Sequence, residues 1–344
     1  MVLWRGSDCR PPRGAIVCKP GRTPYIFTEN TMNAQRYIHG APTDPIEELV
    51  ARDGEAALAI IAGVTGPSYR PVGAMMAVLG EKDRVGSLSS GCIEADIEMH
   101  ALDALRKGVV TKLRYGIGSP FADIELPCGG GLDIAIVPRP DRSVLEMALK
   151  ERVARKPFAI DVNLETGALT LCPTDEGTPS ASTLRIRENP QIRFLIFGKG
   201  PEASTFAGLV RSGGYPHTLF SPDPETIEIC TRAGCDTKHI LDPKIPHSTH
   251  VDPRTAIVLF FHDHDWEPPI LQSALQTPAF YIGAQGSQRA RDTRHAVLAS
   301  LGIASQETDR LRGPIGLIPS ARDPGTLAVS VLAEVLSVAK ADEP

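Results

Sequence analysis

From Arg193 onward the chain alternates short apolar runs with amphipathic stretches, and that alternation restricts the fold more than any other feature of the sequence. Residues 193–197 read as a buried strand that runs into Gly198-Lys199-Gly200-Pro201 and then a helix through Phe206, Leu209 and Val210. Further strands are expected at 217–220, 238–241, 256–261 and 279–282, with helices at about 225–233, 267–276, 288–301 and 324–340. Strands and helices of this length in strict alternation imply parallel βαβ units with helices on both faces of one sheet. The last helix is expected to start with Asp323 as N-cap and Pro324 at its first position, because proline lacks only an amide that is unpaired there anyway. Its apolar set, Leu327, Ala328, Val331, Leu332, Val335 and Leu336, is wide enough to be buried against the sheet or another subunit.

The 344 residues, at roughly 150 per domain, suggest two domains. Residues 1–45 hold six prolines and no sustained apolar period, so they are expected to form a loose, disordered leader. Met32 opens a stretch that leads into Asp44-Pro45-Ile46, so either Met1 or Met32 reads as the functional start. Residues 46–140 alternate short strands with two helices, one near Ile46 and one whose face carries Ile93, Ile97, Ala101 and Leu105. Residues 141–190 read as a middle segment and linker, with a helix near 143–152, strand-like 158–162 and 168–171, and a Ser/Thr/Pro/Gly-rich loop. The expected fold class is α/β: a small N-terminal α+β domain, then over 191–340 a Rossmann-like doubly wound parallel sheet.

A net charge of −5 argues against nucleic acid, whose binding needs a clustered basic surface. Apolar runs such as 56–62 and 256–261 fall short of the roughly 18 residues that a spanning helix requires, so no membrane segment is expected. The seven cysteines are odd in number and lack the paired spacing of a zinc ribbon, and no signal peptide precedes them. A reducing, cytoplasmic compartment follows from that usage.

Five segments could carry chemistry. In Gly86-Ser87-Leu88-Ser89-Ser90-Gly91-Cys92-Ile93-Glu94, a cysteine in the first turn of a helix would meet unpaired amides and the positive end of the helix dipole, which favour a thiolate. Glu94, Asp96 and Glu98 oppose it, and a small buried cysteine beside a glycine turn is an equal reading. Leu126-Pro127-Cys128-Gly129-Gly130-Gly131 could form an amide nest for an anion or simply a turn before a strand. The Gly198-Lys199-Gly200 turn has the strand-to-helix context of a dinucleotide site, but Ser221 stands where an acid would bind the ribose and Asp223 comes two residues late. Gly283, Gly286, Ser287 and Arg289 open a helix that also carries Arg291 and Arg294, suited to a phosphate or to a solvated basic face. His262-Asp263-His264-Asp265 follows a strand; alternating neighbours rarely converge on one ion, so capping or substrate contact is the better reading.

Three of these motifs and a fourth, taken in order, resemble the XdhC/CoxI family of accessory factors for xanthine dehydrogenase and related molybdenum hydroxylases. The segments ending in Cys92-Ile93-Glu94 and in Cys128-Gly129-Gly130 resemble two of its signatures, and Tyr281 to Ser287 and Gly313-Pro314-Ile315-Gly316-Leu317 the other two. The resemblance covers about 46–138 and 191–340. It implies a non-catalytic chaperone that binds the molybdenum cofactor (molybdopterin), protects it during sulfuration by a cysteine desulfurase and passes it to the apo-subunit of the hydroxylase. It further implies that Cys92 contacts the cofactor and its molybdenum, with Ser90, Gly91 and Glu94 beside it. Cys128, Gly129, Gly130, Gly198, Gly200, Gly283, Gly286, Ser287 and Arg289 complete the implied binding set. A homodimer is compatible with it. The rival readings are an NAD(P)-dependent oxidoreductase using Gly198 and Gly200, and a thiol enzyme with Cys92 as nucleophile, for which His100 lies too far along the helix.

Overall fold

The computed structural model describes residues 44–89, 91, 93–119, 126–127, 129–175, 177–261 and 265–341. Most of the expected leader therefore lies outside the described residues. The first elements are α1 (Pro45–Ala51), β1 (Ala57–Thr65), β2 (Met75–Gly80), β3 (Asp83–Gly86), α2 (Glu94–Lys107), β4 (Thr111–Gly116) and β5 (Gly131–Pro138). Their strands form an antiparallel sheet in the order β3-β2-β1-β5-β4. Because successive side chains in a strand point to opposite faces, β1 feeds two cores at once. Ala57, Ala59 and Ile61 pack with Ile93, Ile97 and Ala101 of the α2 segment. Leu58 and Ile60 pack on the other face with Ile46, Val144 and Ile160. Coverage on both faces explains why β1 is a continuous apolar run rather than an alternating one.

The middle segment is more ordered than its composition suggests. It holds α3 (Arg142–Val153), β6 (Phe158–Asn163), β7 (Leu169–Cys172) and β8 (Thr183–Glu188), and the three strands make a separate antiparallel sheet in the order β7-β6-β8. The Ser/Thr/Pro/Gly-rich loop is followed by a paired strand, Thr183–Glu188, that the sequence did not disclose. Its Arg185 donates to both Asp161 carboxylate oxygens at 2.7 and 2.6 Å, a bidentate cross-strand pair.

The remaining elements are β9 (Arg193–Gly198), α4 (Gly200–Ser212), β10 (His217–Ser221), α5 (Pro224–Arg232), β11 (Thr237–His239), β12 (Thr255–Phe260), α6 (Glu267–Leu275), β13 (Tyr281–Ala284), α7 (Gln288–Ser300), α8 (Ser305–Thr308), β14 (Leu311–Arg312) and α9 (Pro324–Ala341). All pairings in this sheet are parallel, and the order β11-β10-β9-β12-β13-β14 is the Rossmann order, with its reversal between β9 and β12. Phe194 and Ile196 face α4 and α9, whereas Leu195 and Phe197 face α6 and α7, so the sheet is doubly wound as expected. The sequence did not disclose α8 or the two-residue β14.

Asp323 caps α9 as expected, accepting from the Thr326 amide at 2.7 Å. By length and composition α9 could cross a membrane. Its Leu327, Ala328, Val331, Val335 and Ala339 nevertheless pack in the core of the sheet, which makes it a core helix. The segment after α3 is tied to the parallel sheet by Arg155, which donates to Asp252 at 2.6 Å and to the Gln191 carbonyl at 3.0 Å.

Candidate functional site

The antiparallel sheet sends the glycine loops after β1, after β3 and between β4 and β5 to one end. Strands β1, β3 and β4 finish there and β2 and β5 begin there, as the pairings Thr65↔Gly131, Met76↔Gly86 and Gly116↔Gly131 require. The segment leading from Gly86 to α2 and the segment entering β5 thus leave the same end of the sheet, with β2 and β1 between them. Leu88 and Ile93 flank the first and Leu126 begins the second, and all three belong to one buried cluster with Tyr115. Gly130 is wedged so closely against the β1–β2 turn that a Cβ there would lie 1.9 Å from the Pro67 carbonyl oxygen. Gly91 and Gly129 differ from it: both have positive φ, +105° and +69°, and among the described residues, chain neighbours aside, nothing lies within 4 Å of a Cβ position. Their backbone faces open space, the condition under which a ligand can approach the main chain.

Glu94 organises the first of these loops. Its carboxylate is only 2% exposed and accepts from the Ser87 hydroxyl (2.7 Å), the Leu88 and Ser89 amides (3.0 and 2.8 Å), the Ser89 hydroxyl (3.1 Å) and the Ile93 amide (3.2 Å). Burial pushes its pKa up, but the Ser89 amide, the Ser87 hydroxyl and the Leu88 amide overcome that and bring it down to about 2. All five partners come from its own loop, so Glu94 acts as a fixed anion that shapes the backbone. Helix α2 begins at Glu94 with Ile93 as N-cap. Ser90, Cys92 and Cys128 lie outside the described residues, as do His262, Asp263 and His264.

A second group gathers at the carboxyl edge of the parallel sheet, where Gly198 ends β9 and Gly283 to Arg289 connect β13 to α7. Gly198 is required by close packing, since a Cβ would stand 2.7 Å from the Phe260 carbonyl oxygen and 3.0 Å from Ala203 Cβ. The Gly200 amide is engaged by Thr226 Oγ1 at 2.9 Å, and Thr226 in turn donates to Asp223. Asp223 also accepts from the Thr226 amide at 2.9 Å and caps α5, while the Ser221 hydroxyl accepts from the Asp223 amide at 3.1 Å. The groups that would hold a ribose are thus committed to the turn itself, and the nucleotide reading loses its main support. Asp223→Ala is expected to cost about 0.5–2 kcal/mol as a lost helix cap, read by urea unfolding; a neutral result would show the cap to be idle.

The arginines of α7 separate by role. Arg294 is buried and donates to both Glu267 oxygens at 3.1 Å and to the Gln285 carbonyl at 2.7 Å. It therefore fixes the turn from inside, and no sequence signal joins residues 27 apart on two helices. Ser287 caps α7 by accepting from the Ala290 amide at 3.2 Å. Arg289, in the first turn, is exposed. Gly283 is buried between Tyr281 and Ile315 and leaves no room for a side chain, so its place is structural. Gly286 has φ +148° and a Cβ there would press on Ala290 Cβ at 2.9 Å.

Comparison with known proteins agrees with this architecture. Residues 49–116 match the model of the XdhC and CoxI family and residues 194–335 that of the XdhC Rossmann domain. The chain is 34% identical to the molybdenum cofactor insertion chaperone PaoD of Escherichia coli, covering 85% of this chain and 86% of that protein. It is 24% identical to a probable xanthine dehydrogenase subunit of Bacillus subtilis, covering 86% and 96%. A crystal structure described as a xanthine dehydrogenase from Bacillus halodurans shares the fold, with a TM-score of 0.70 at 21% identity over 87% of this chain and 95% of that one.

Proposed function

Since the chain belongs to the XdhC and CoxI family, we propose that it is an accessory chaperone that binds the molybdenum cofactor and delivers it to a molybdenum hydroxylase. The observation that carries this reading is the placement of two glycine loops, each adjoining a cysteine of the sequence, at the same end of the antiparallel sheet. The cofactor is an anionic pterin with a dithiolene-held metal and a phosphate, and it calls for open amides, cations and a soft ligand. The open backbone at Gly91 and Gly129 fits the first need. In this reading Cys92 supplies the soft contact, with Ser90 and Cys128 beside it, and Glu94 holds their loop in shape. Ser287 and Arg289 receive the phosphate. The same reading places the protein in the cytoplasm, beside a cysteine desulfurase and the hydroxylase it serves, as a binding protein without a reaction of its own, and it allows a homodimer.

The test is purification from cells that make molybdopterin, followed by assay of bound pterin and molybdenum. Wild type is expected to retain both, and Cys92→Ala to lose retention while remaining folded. Arg289→Ala is expected to weaken cofactor binding about ten- to hundredfold, the equivalent of one charge-assisted contact of about 1.5–3 kcal/mol. Raising salt should weaken wild type more than that variant. A preparation free of pterin would overturn the function; equal affinities for Arg289→Ala and wild type at both salt concentrations would move the phosphate elsewhere.

A further inference from the structure

Away from both groups, two cysteines meet at the far end of α5. The helix closes in a Schellman motif: the Gly234 amide donates to the Thr231 carbonyl at 2.9 Å and the Cys235 amide to the Cys230 carbonyl at 2.9 Å. Gly234 takes the left-handed conformation the motif needs, with φ +81°. This motif brings the side chains of its first and sixth residues together, which here are Cys230 and Cys235. Both are buried, at 1% and 7% exposure, in the same cluster, and neither is in a disulfide. Arg211 lies over the turn, donating to the Gly234 carbonyl at 2.9 Å, and its charge acts on Cys235.

His217 of β10 completes the cluster. Its Nδ1 is 3.0 Å from the Tyr215 carbonyl oxygen, while its Nε2 is sealed from solvent and has no hydrogen-bond partner among the described residues. Burial opposes its protonation, yet Cys235, the Tyr215 carbonyl and Asp236 raise its basicity above the ordinary imidazole range. The two thiols are pushed in opposite directions. Contact with Cys235 and burial raise Cys230, whereas Cys230, His217 and Arg211 lower Cys235 against the effect of burial. A dithiol with one sulfur poised as thiolate and a base beside it is the arrangement of redox-active pairs rather than of inert core cysteines.

We propose that Cys230 and Cys235 are a redox-active dithiol that peroxide converts to an intramolecular disulfide across the end of α5. The Cys235 thiolate attacks one oxygen of hydrogen peroxide, breaking the O–O bond and releasing hydroxide, which takes up a proton to leave as water. Cys230 then gives its proton to His217 and attacks the resulting sulfenic sulfur; the S–O bond breaks, and the departing hydroxide takes that proton from His217 and leaves as a second water. Two thiols and one peroxide thus become one disulfide and two waters, with sulfur oxidised and peroxide reduced. The product bond would add a covalent link to the hydrogen-bonded cap.

The experiment treats the reduced full-length protein with hydrogen peroxide, blocks remaining thiols with iodoacetamide and maps the cysteines by peptide mass. The expected product is a Cys230–Cys235 disulfide formed ahead of any change at the buried Cys172, which serves as internal control. Cys235→Ser should abolish it, and His217→Gln should slow it about tenfold without changing the product, by lowering the thiolate fraction. Circular dichroism of each variant confirms that it is folded. Oxidation of Cys172 at the same rate, a disulfide elsewhere with this pair unchanged, or reaction only in denaturant would overturn the proposal.

Discussion

Replacing Glu267 with alanine is expected to lower the stability of the protein by about 3–5 kcal/mol, because it leaves a buried guanidinium without its counter-ion. The Arg294 and Glu267 side chains are only 4% and 6% exposed, and the pair is bidentate, with both contacts at 3.1 Å. Arg294 would keep the Gln285 carbonyl as acceptor, which cannot neutralise a charge. The loss should appear as a fall in melting temperature of roughly 10 °C for a chain of this size. Glu267→Leu combined with Arg294→Met, which removes both charges and keeps the volume apolar, should recover most of it, as replaced buried pairs commonly do. Urea unfolding of the single and double variants distinguishes the cases: a single-variant cost below about 1 kcal/mol would mean that the pair is solvated. The effect should also reach the turn that presents Ser287 and Arg289, since Arg294 is bonded to its first residue.

The second large effect belongs to Glu94. In the folded protein its pKa is brought down to about 2 from an ordinary 4.5. A depressed folded value stabilises the charged, folded form: the contribution is fully present above about pH 4.5 and is lost as pH falls toward 2. The difference corresponds to about 3 kcal/mol at neutral pH. Glu94→Gln should lose a comparable amount, because an amide group brings hydrogens into a ring of five donors that need an acceptor. The variant should also lose this part of the pH dependence, so the wild-type and variant stabilities should converge between about pH 4.5 and 2. Thermal melts across that range decide it; a constant gap would show that Glu94 stays ionised in both states or carries none of the loop's stability.

Much of the architecture was legible because it rests on periodicity. Strands β9, β10, β12 and β13 are short runs, mostly apolar, each followed by a helix, and β9 and β13 run into glycine first, a pattern that no antiparallel hairpin reproduces. Even cap positions could be read, as at Asp323, because the N-cap, Pro and helix pattern is local. By contrast β8 was hidden. Leu184 and Ile186 are its only apolar residues, and its arginines become strand residues only when Asp161 is placed opposite Arg185. A strand defined by its partner leaves little mark in its own sequence.

The candidate sites divide along the same line. Sequence alone determined which loops carry glycines and cysteines, the doubly wound class and the family, since these depend on residue type and order. It could not decide what each polar group in those loops does. Glu94 reads as a charge near a helix start, and only the fold turns its carboxylate back onto its own loop. Asp223 reads as a displaced ribose ligand, and only the α5 cap shows it committed to Thr226. Arg289 and Arg294 share one basic stretch, yet the chain buries the second against Glu267 and leaves the first in solvent. The reason is physical: periodicity and turn chemistry act between near neighbours and are written in the order of residues, whereas burial and counter-ion pairing depend on which distant segments meet. Those meetings fix the dielectric and the hydrogen-bond partners that decide whether a charge organises a loop, braces two helices or waits for a ligand.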